Sequence, residues 1–124
     1  MKLNLVIVDD SAIWLSIAEK LALAHPDVAN VTTFDDSLDA WIYLQTNQST
    51  ALMTDIEMPC INGFSFLSMF SAKLPIITTS TRKNYAGHAK EFGCVGFLSK
   101  PFSKKDFNLA LTNVHERISF QKIC

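Results

Sequence analysis

Six polar side chains stand at the ends of apolar runs in this sequence, and together they could handle a phosphoryl group. They are Asp9, Asp10, Asp55, Thr79, Ser80 and Lys100. Three carboxylates brought together raise each other's pKa unless a cation joins them. Mg²⁺, a hard ion with oxygen ligands and open water positions, resolves that conflict. The lysine and a hydroxyl would then bind a dianionic phosphoryl group, and a carboxylate could attack it as the nucleophile.

The elements that must position these side chains alternate between strand-like and helix-like patterns. Strands are predicted at five short apolar runs, namely Leu3–Val8, Val28–Phe34, Thr50–Thr54, Pro75–Thr79 and Cys94–Ser99. Helices are predicted at Ala12–Ala24, about Ser37–Thr46, near Phe64–Ser71, at Lys83–Phe92 and from Ser103 onward. Continuous apolar runs are typical of strands that are buried on both faces.

Strict alternation of five β–α units predicts a single doubly wound α/β domain, with a parallel sheet and helices on both of its faces. Sites in such sheets form outside the carboxyl ends of the strands. A lone Asp-Asp after a strand is more often a turn or a helix cap, and a lone Lys-Pro carries little information. Because all of the polar residues fall at strand ends, the combination favours a site over coincidence.

Caps and apolar stripes mark the helices. Ser11 is a predicted N-cap, Gly93 a predicted C′ residue, and Ser103 with Asp106 a predicted capping box. The stripes predicted to face the sheet are Trp14, Ile17, Ala18 and Leu21 in the first helix, Leu38, Trp41, Ile42 and Leu44 in the second, and Phe107, Leu111, Val114 and Ile118 in the last.

Composition excludes several classes of protein. The net charge is −1, from 11 basic and 12 acidic side chains, so no electrostatic bias points to nucleic acid or to an anionic membrane. Three widely spaced cysteines without a CxxC pair argue against a disulfide framework and fit a reducing compartment. No apolar stretch approaches the roughly 18 residues of a membrane span. We therefore expect a soluble, cytoplasmic, one-domain protein.

The sequence resembles the receiver domain of two-component response regulators over nearly its whole length. The matching residues are Val8-Asp9-Asp10-Ser11, Asp55-Ile56-Glu57-Met58-Pro59 with Gly63, Phe92-Gly93-Cys94 and Lys100-Pro101-Phe102. Some of them are also similar to chemotaxis receivers, including those attached to a methylesterase. The resemblance implies a flavodoxin-like sheet of strand order 2-1-3-4-5.

The resemblance also implies a role for each matching residue. Asp55 would accept the phosphoryl group from the phosphohistidine of a histidine kinase or a histidine phosphotransfer protein. Asp9, Asp10, Asp55 and the backbone carbonyl of Glu57 would hold Mg²⁺. Lys100, aimed by a cis peptide bond to Pro101, would bind a phosphoryl oxygen. Ser80 would swing toward the phosphoryl group, and Phe97 would follow it inward and reshape the face of the fourth helix, fifth strand and fifth helix for a downstream target.

Two segments depart from the family pattern. The chain is about two residues shorter than the family pattern between Ser80 and Gly93, and it is also shorter between Gly63 and Pro75. We therefore expect the face that binds the downstream target to be atypical. The shortening leaves Thr79 and Thr81 as alternatives to Ser80, although strand alternation and the count from Pro75 favour Ser80.

A gate over the phosphoryl site is a further hypothesis. Thr81 stands where the family usually has a smaller residue, and a salt bridge between Glu57 and Arg82 could shield the site from water. Equally, Glu57 and Arg82 could both be merely solvated.

The leading functional hypothesis is a phospho-accepting switch that catalyses only its own phosphorylation and dephosphorylation. It covers residues 1–124, either as a stand-alone protein or as the N-terminal piece of a larger regulator. One alternative is a degenerate receiver that binds proteins without being phosphorylated. Another alternative is a Mg²⁺ hydrolase that uses Asp55 covalently. It is disfavoured because the sequence shows no cap domain and no second general acid near Asp55.

Overall fold

A computed structural model describes residues 2–57, 74–82 and 93–123, with side chains as far as residue 119. The strands are β1 (Leu3–Val8), β2 (Val28–Phe34), β3 (Ala51–Asp55), β4 (Ile76–Ser80) and β5 (Gly96–Ser99). The helices in these ranges are α1 (Ala12–Leu23), α2 (Ser37–Thr46) and α3 (Lys104–Ile123), of which α3 is the last helix predicted from the sequence. Nowhere in these ranges is a helix both long and apolar enough to cross a membrane.

The strands form one parallel sheet in the order β2-β1-β3-β4-β5. This order confirms the doubly wound, flavodoxin-like prediction. β1, β3 and β4 are almost fully buried, as their continuous apolar sequences require of strands that are covered on both faces.

One face of the sheet packs against α1 and α3. The predicted stripe of α3 is confirmed, since Phe107, Leu111 and Val114 are fully buried there and Ile118 packs against them. The backbone N–H of Asp106 donates to the Ser103 hydroxyl at 3.1 Å, which is the expected N-cap bond. This cap and stripe fix how the chain leaves β5.

The other face packs against α2. Ala40 is buried against Val6, Val8 and other sheet residues, and Trp41 packs beside them. The side chain of Asp36, one residue before the helix, accepts from the N–H of Leu38 at 2.7 Å and caps it. The helices therefore cover both faces, as predicted.

Some details of the prediction are wrong. Ile17, Leu38 and Ile42 are exposed rather than facing the sheet, and Leu15 packs on the core in place of Ile17. Helix faces are set by which side of the helix meets the sheet, and a short stripe fixes that only to within one position.

Three predicted strands and the first helix also differ at their ends by one or two residues, a spread that is usual for element boundaries. The difference in β3 matters for the site, because the strand includes Asp55 as its last residue, whereas the predicted strand ended at Thr54. Gly93 has a φ of 81°, the left-handed conformation predicted for a C′ residue. The predicted helices Phe64–Ser71 and Lys83–Phe92, and the motif residues Met58, Pro59, Gly63 and Phe92, lie outside the described residues.

Candidate phosphoryl and metal site

The predicted carboxylates meet at the carboxyl ends of two neighbouring strands. Asp9 directly follows β1 and Asp55 ends β3, and β1 pairs with β3 through Val8 and Thr54. Asp9 and Asp55 are buried, whereas Asp10 is exposed. One carboxylate oxygen from each of the three residues lies within 4.8 Å of the others. The structure therefore brings together the three acidic residues that the sequence predicted.

Lys100, the residue that follows β5, joins two of these carboxylates. Its Nζ donates to Asp9 Oδ2 at 2.7 Å and to Asp55 Oδ2 at 2.9 Å. The lysine side chain is 5% exposed, so this is a buried charge network. Its backbone N–H donates to the Ser80 carbonyl at 2.8 Å, and the peptide bond to Pro101 is cis, as the resemblance implied.

Backbone groups fix the remaining oxygens of the two buried carboxylates. Asp9 Oδ1 accepts from the N–H of Ser11 at 2.9 Å, and Asp55 Oδ1 accepts from the N–H of Glu57 at 2.9 Å. Each carboxylate is thus held by a backbone donor on one oxygen and by the ammonium on the other. Charge-assisted bonds of this kind fix the orientation of both carboxylates.

Burial and pairing shift two pKa values in this network. Burial raises the pKa of Asp9, and the bonds from Lys100 and from the N–H of Ser11 only partly offset it. Burial alone would lower the pKa of Lys100, but the bonds to Asp9 and Asp55 outweigh it and the pKa is raised. Lys100 therefore keeps its positive charge at neutral pH.

The site fits a divalent cation. The three carboxylates supply oxygen donors, which are the ligands that Mg²⁺ prefers, and exposed Asp10 leaves one side open to water. When all four groups are ionised, three negative charges and one positive charge leave −2, which one divalent ion neutralises. The backbone carbonyl of Glu57 as a fourth ligand stays a prediction.

The predicted switch hydroxyl bonds to Glu57 in this structure. Ser80 Oγ donates to Glu57 Oε1 at 2.6 Å and accepts from the N–H of Arg82 at 2.9 Å. Sequence reasoning missed this partner, because the Glu57 side chain was considered only for a salt bridge to Arg82. The available signal was a carboxylate two residues beyond Asp55, the last residue of the strand that pairs with β4.

The two residues predicted to gate the site, Thr81 and Arg82, both contact the Glu57 carboxylate. Thr81 Oγ1 donates to Glu57 Oε1 at 3.4 Å, and Arg82 Nε lies 3.9 Å from that oxygen. Ser80 and Thr81 therefore both contact Glu57 Oε1, although β4 ends at Ser80. The Arg82 and Glu57 side chains are 62% and 37% exposed, so their ion pair contributes about 1 kcal/mol at most.

Two aromatic side chains complete the surroundings. Phe97 on β5 is half buried and lines a cavity of about 300 Å³ together with Leu109 and Asn113 of α3. Trp14, predicted only to pack in the core, also has its ring 5.6 Å from Lys100 Nζ. Sequence reasoning could not find this contact, because it depends on how α1 sits over the end of β5.

Comparison with known proteins agrees with this geometry. The family model for the response regulator receiver domain matches residues 5–112. Among curated proteins, the protein-glutamate methylesterase/protein-glutamine glutaminase 2 of Bordetella avium is 30% identical over 106 residues. That match covers 81% of this chain and 30% of the relative, so the chain spans about 30% of the length of the curated relatives it matches.

Solved structures show the same fold. The response regulatory domain of mrkE from Klebsiella pneumoniae superposes with a TM-score of 0.84 at 25% identity, over 92% of this chain and 96% of that one. The chemotaxis response regulator CheY4 of Vibrio cholerae gives a TM-score of 0.80 at 23% identity, over 92% of this chain and 99% of that one.

Proposed function

The chain belongs to the response regulator receiver domain family of phosphorelay signalling, and from this premise we propose that Asp55 is its phosphoacceptor. The observation that carries the proposal is the position of Asp55 between Lys100 and the N–H of Glu57, with Asp9 and Asp10 beside it. A buried carboxylate with fixed cationic and backbone donors is preorganised as a nucleophile for phosphoryl transfer.

The reaction follows from these contacts. A carboxylate oxygen of Asp55 attacks phosphorus, the P–N bond of a donor phosphohistidine breaks, and the imidazole leaves with the bonding electron pair. Lys100 already lies 2.9 Å from Asp55, so it binds a phosphoryl oxygen with a short movement. Asp9, Asp10, Asp55 and the Glu57 carbonyl would hold Mg²⁺, which supplies neutralisation of the phosphoryl charge.

The switch begins at Ser80. Its hydroxyl donates to Glu57 in this structure, and a phosphoryl group at Asp55 offers it a competing anionic acceptor on the neighbouring strand. Phe97, half buried beside a cavity, is the ring that moves when Ser80 leaves Glu57. Phosphorylation acts by favouring one of two arrangements of this pair, and the altered face is read by a downstream protein.

A shielded phosphoryl group is part of the same proposal. The contacts of Thr81 and Arg82 with Glu57, two residues after Asp55, support a gate over the phosphoryl group. Removing these side chains in Thr81→Ala and Arg82→Ala admits water, so both variants lose phosphate faster than the wild type. Decay of the phosphorylated form, followed by intact mass after removal of the donor, checks this; equal decay in all three proteins contradicts the gate.

We propose no activity beyond self-phosphorylation and dephosphorylation for residues 1–124. The methylesterase and glutaminase named for the curated relatives belong to proteins of which this chain spans about 30%. A cytoplasmic place, a histidine kinase or phosphotransfer protein as donor, and a downstream target on the β5–α3 face complete the proposal.

Intact-mass analysis after incubation with acetyl phosphate and Mg²⁺ tests the function. The wild type should gain one phosphate, Asp55→Ala none, and Asp39→Ala, an exposed acidic control on α2, the same as the wild type. Omission of Mg²⁺ should slow the gain, because the charge of the three carboxylates then opposes the donor. A wild type that stays unmodified supports the degenerate protein-binding module instead.

A further inference from the structure

Trp14 lies against the buried ammonium of Lys100. The Nζ atom is 5.6 Å from the centroid of the Trp14 ring, within the range of cation–π attraction. The lysine side chain is only 5% exposed, and such contacts are stronger where water is excluded. The indole therefore forms one wall of the pocket that holds the ammonium.

A backbone hydrogen bond and ring contacts hold the Trp14 indole in place. The N–H of Trp14 donates to the Ser11 hydroxyl at 3.4 Å, so the residue lies in the first turn of α1, directly after the metal-site aspartates. Its ring contacts Phe102 with centroids 4.9 Å apart, and Phe102 stacks on buried Phe107 at 6.2 Å. This aromatic row ties the position of Trp14 to α3 and to the chain that follows Lys100.

A lysine needs such support to act as a phosphoryl ligand. Its ammonium is a compact charge on a flexible four-carbon stem, and the freedom of that stem is lost whenever the charge is held in one place. Asp9 and Asp55 bind the ammonium at 2.7 and 2.9 Å, but under the proposed function both would take new partners when Mg²⁺ and the phosphoryl group bind. The ring of Trp14 keeps its attraction for the charge throughout.

We propose that Trp14 is a positioning residue that holds the Lys100 ammonium at the phosphoryl site. The inference rests on the proposed function for its catalytic consequence, but the contact itself can be tested without any reaction. A simple core role makes a different prediction, because a leucine, although smaller than the indole, would then keep the site apolar and leave the phosphorylation rate unchanged.

The first experiment uses fluorescence of the metal-free protein. In a Trp41→Phe background, Trp14 is the one tryptophan that remains. Adding Lys100→Met removes the ammonium beside the indole and should shift the emission of Trp14. The exposed control Lys105→Met should leave the emission unchanged. Superimposable spectra for Lys100→Met and its parent, with circular dichroism showing both to be folded, would overturn the contact.

The second experiment measures phosphorylation by acetyl phosphate in the presence of Mg²⁺. Trp14→Leu should lower the limiting rate by roughly 2- to 30-fold, the span that cation–π contacts represent, and Trp14→Phe should fall between it and the wild type. The control Trp41→Leu, on the opposite face of the sheet, should keep the wild-type rate.

The outcomes separate the two proposals. A wild type that is phosphorylated, with Trp14→Leu reacting at the same limiting rate, overturns the role of Trp14 and leaves the proposed function standing. A wild type that accepts no phosphate removes the proposed function, and the fluorescence of the Lys100→Met pair then still decides whether Trp14 holds the ammonium.

Discussion

Replacement of Lys100 by methionine should lower the free energy of unfolding, because it leaves two buried carboxylates without their cationic partner. The ammonium makes contacts of 2.7 and 2.9 Å to two carboxylates whose side chains are 6% and 7% exposed. At these distances, and at an effective dielectric constant of about 20, each pair attracts by about 6 kcal/mol before desolvation is subtracted. Removing one partner of a buried pair costs about 3 to 5 kcal/mol, because the other charge is left uncompensated.

Urea unfolding at neutral pH without divalent ions measures this loss. Lys100→Met should lower the free energy of unfolding by about 3 to 5 kcal/mol, while Lys105→Met, an exposed control in the first turn of α3, should stay within about 0.5 kcal/mol of the wild type. Mg²⁺ should stabilise Lys100→Met more than the wild type, since the bound cation no longer meets the ammonium.

The dependence on pH follows from the raised pKa of Lys100. The carboxylates stabilise the charged form, so the contribution of Lys100 is fully present below its ordinary pKa of 10.5 and is lost as pH rises through the higher folded value. The difference between wild type and Lys100→Met should therefore stay constant from neutral pH to 10.5 and shrink above it. A variant as stable as the wild type without metal, or a difference that disappears below pH 10.5, would show that the ammonium does not stabilise the two carboxylates.

Two further predictions concern the core. Burial raises the pKa of the Cys94 thiol to about 11. In a Cys60→Ser, Cys124→Ser background, iodoacetamide should therefore alkylate Cys94 roughly 10-fold more slowly at a pH of about 8 than in the urea-unfolded chain, because a roughly hundredfold loss of thiolate is partly offset by the higher nucleophilicity of that thiolate. Equal alkylation rates in the folded and unfolded chains would contradict this prediction. Phe107→Ala should lower the free energy of unfolding by about 3 to 5 kcal/mol, because Phe107 is fully buried. Leu109→Ala, at an exposed position of the same helix, should lower it by about 0.5 kcal/mol or less. Urea titration measures both losses, and similar losses in the two variants would contradict the prediction.

The sequence carried most of the fold because its apolar runs are unambiguous. A strand such as Leu3–Val8 is apolar at nearly every position, which only a strand covered on both faces tolerates. The stripes of the shorter helices were less informative: Leu38 and Ile42 share one face of α2, yet α2 buries Ala40 and turns that face to solvent. Apolar residues on a surface are common, so a stripe of four residues does not determine which side packs.

The carboxylates and Lys100 could also be predicted, because the ends of parallel strands meet at one edge whatever the side chains do. The bond from Ser80 to Glu57 and the contact of Trp14 with Lys100 could not. Both depend on side-chain directions beyond the end of a strand or across a helix–sheet packing. A pattern in the sequence does not encode these directions.

Reductive trapping measures whether the phosphoryl group resides on Asp55. Borohydride reduces an aspartyl phosphate to homoserine, which peptide mass spectrometry locates by residue. After treatment with acetyl phosphate and Mg²⁺, homoserine should stand at position 55 and not at 9 or 10. Homoserine at either of those positions, or phosphate uptake that persists in Asp55→Ala, would contradict the account.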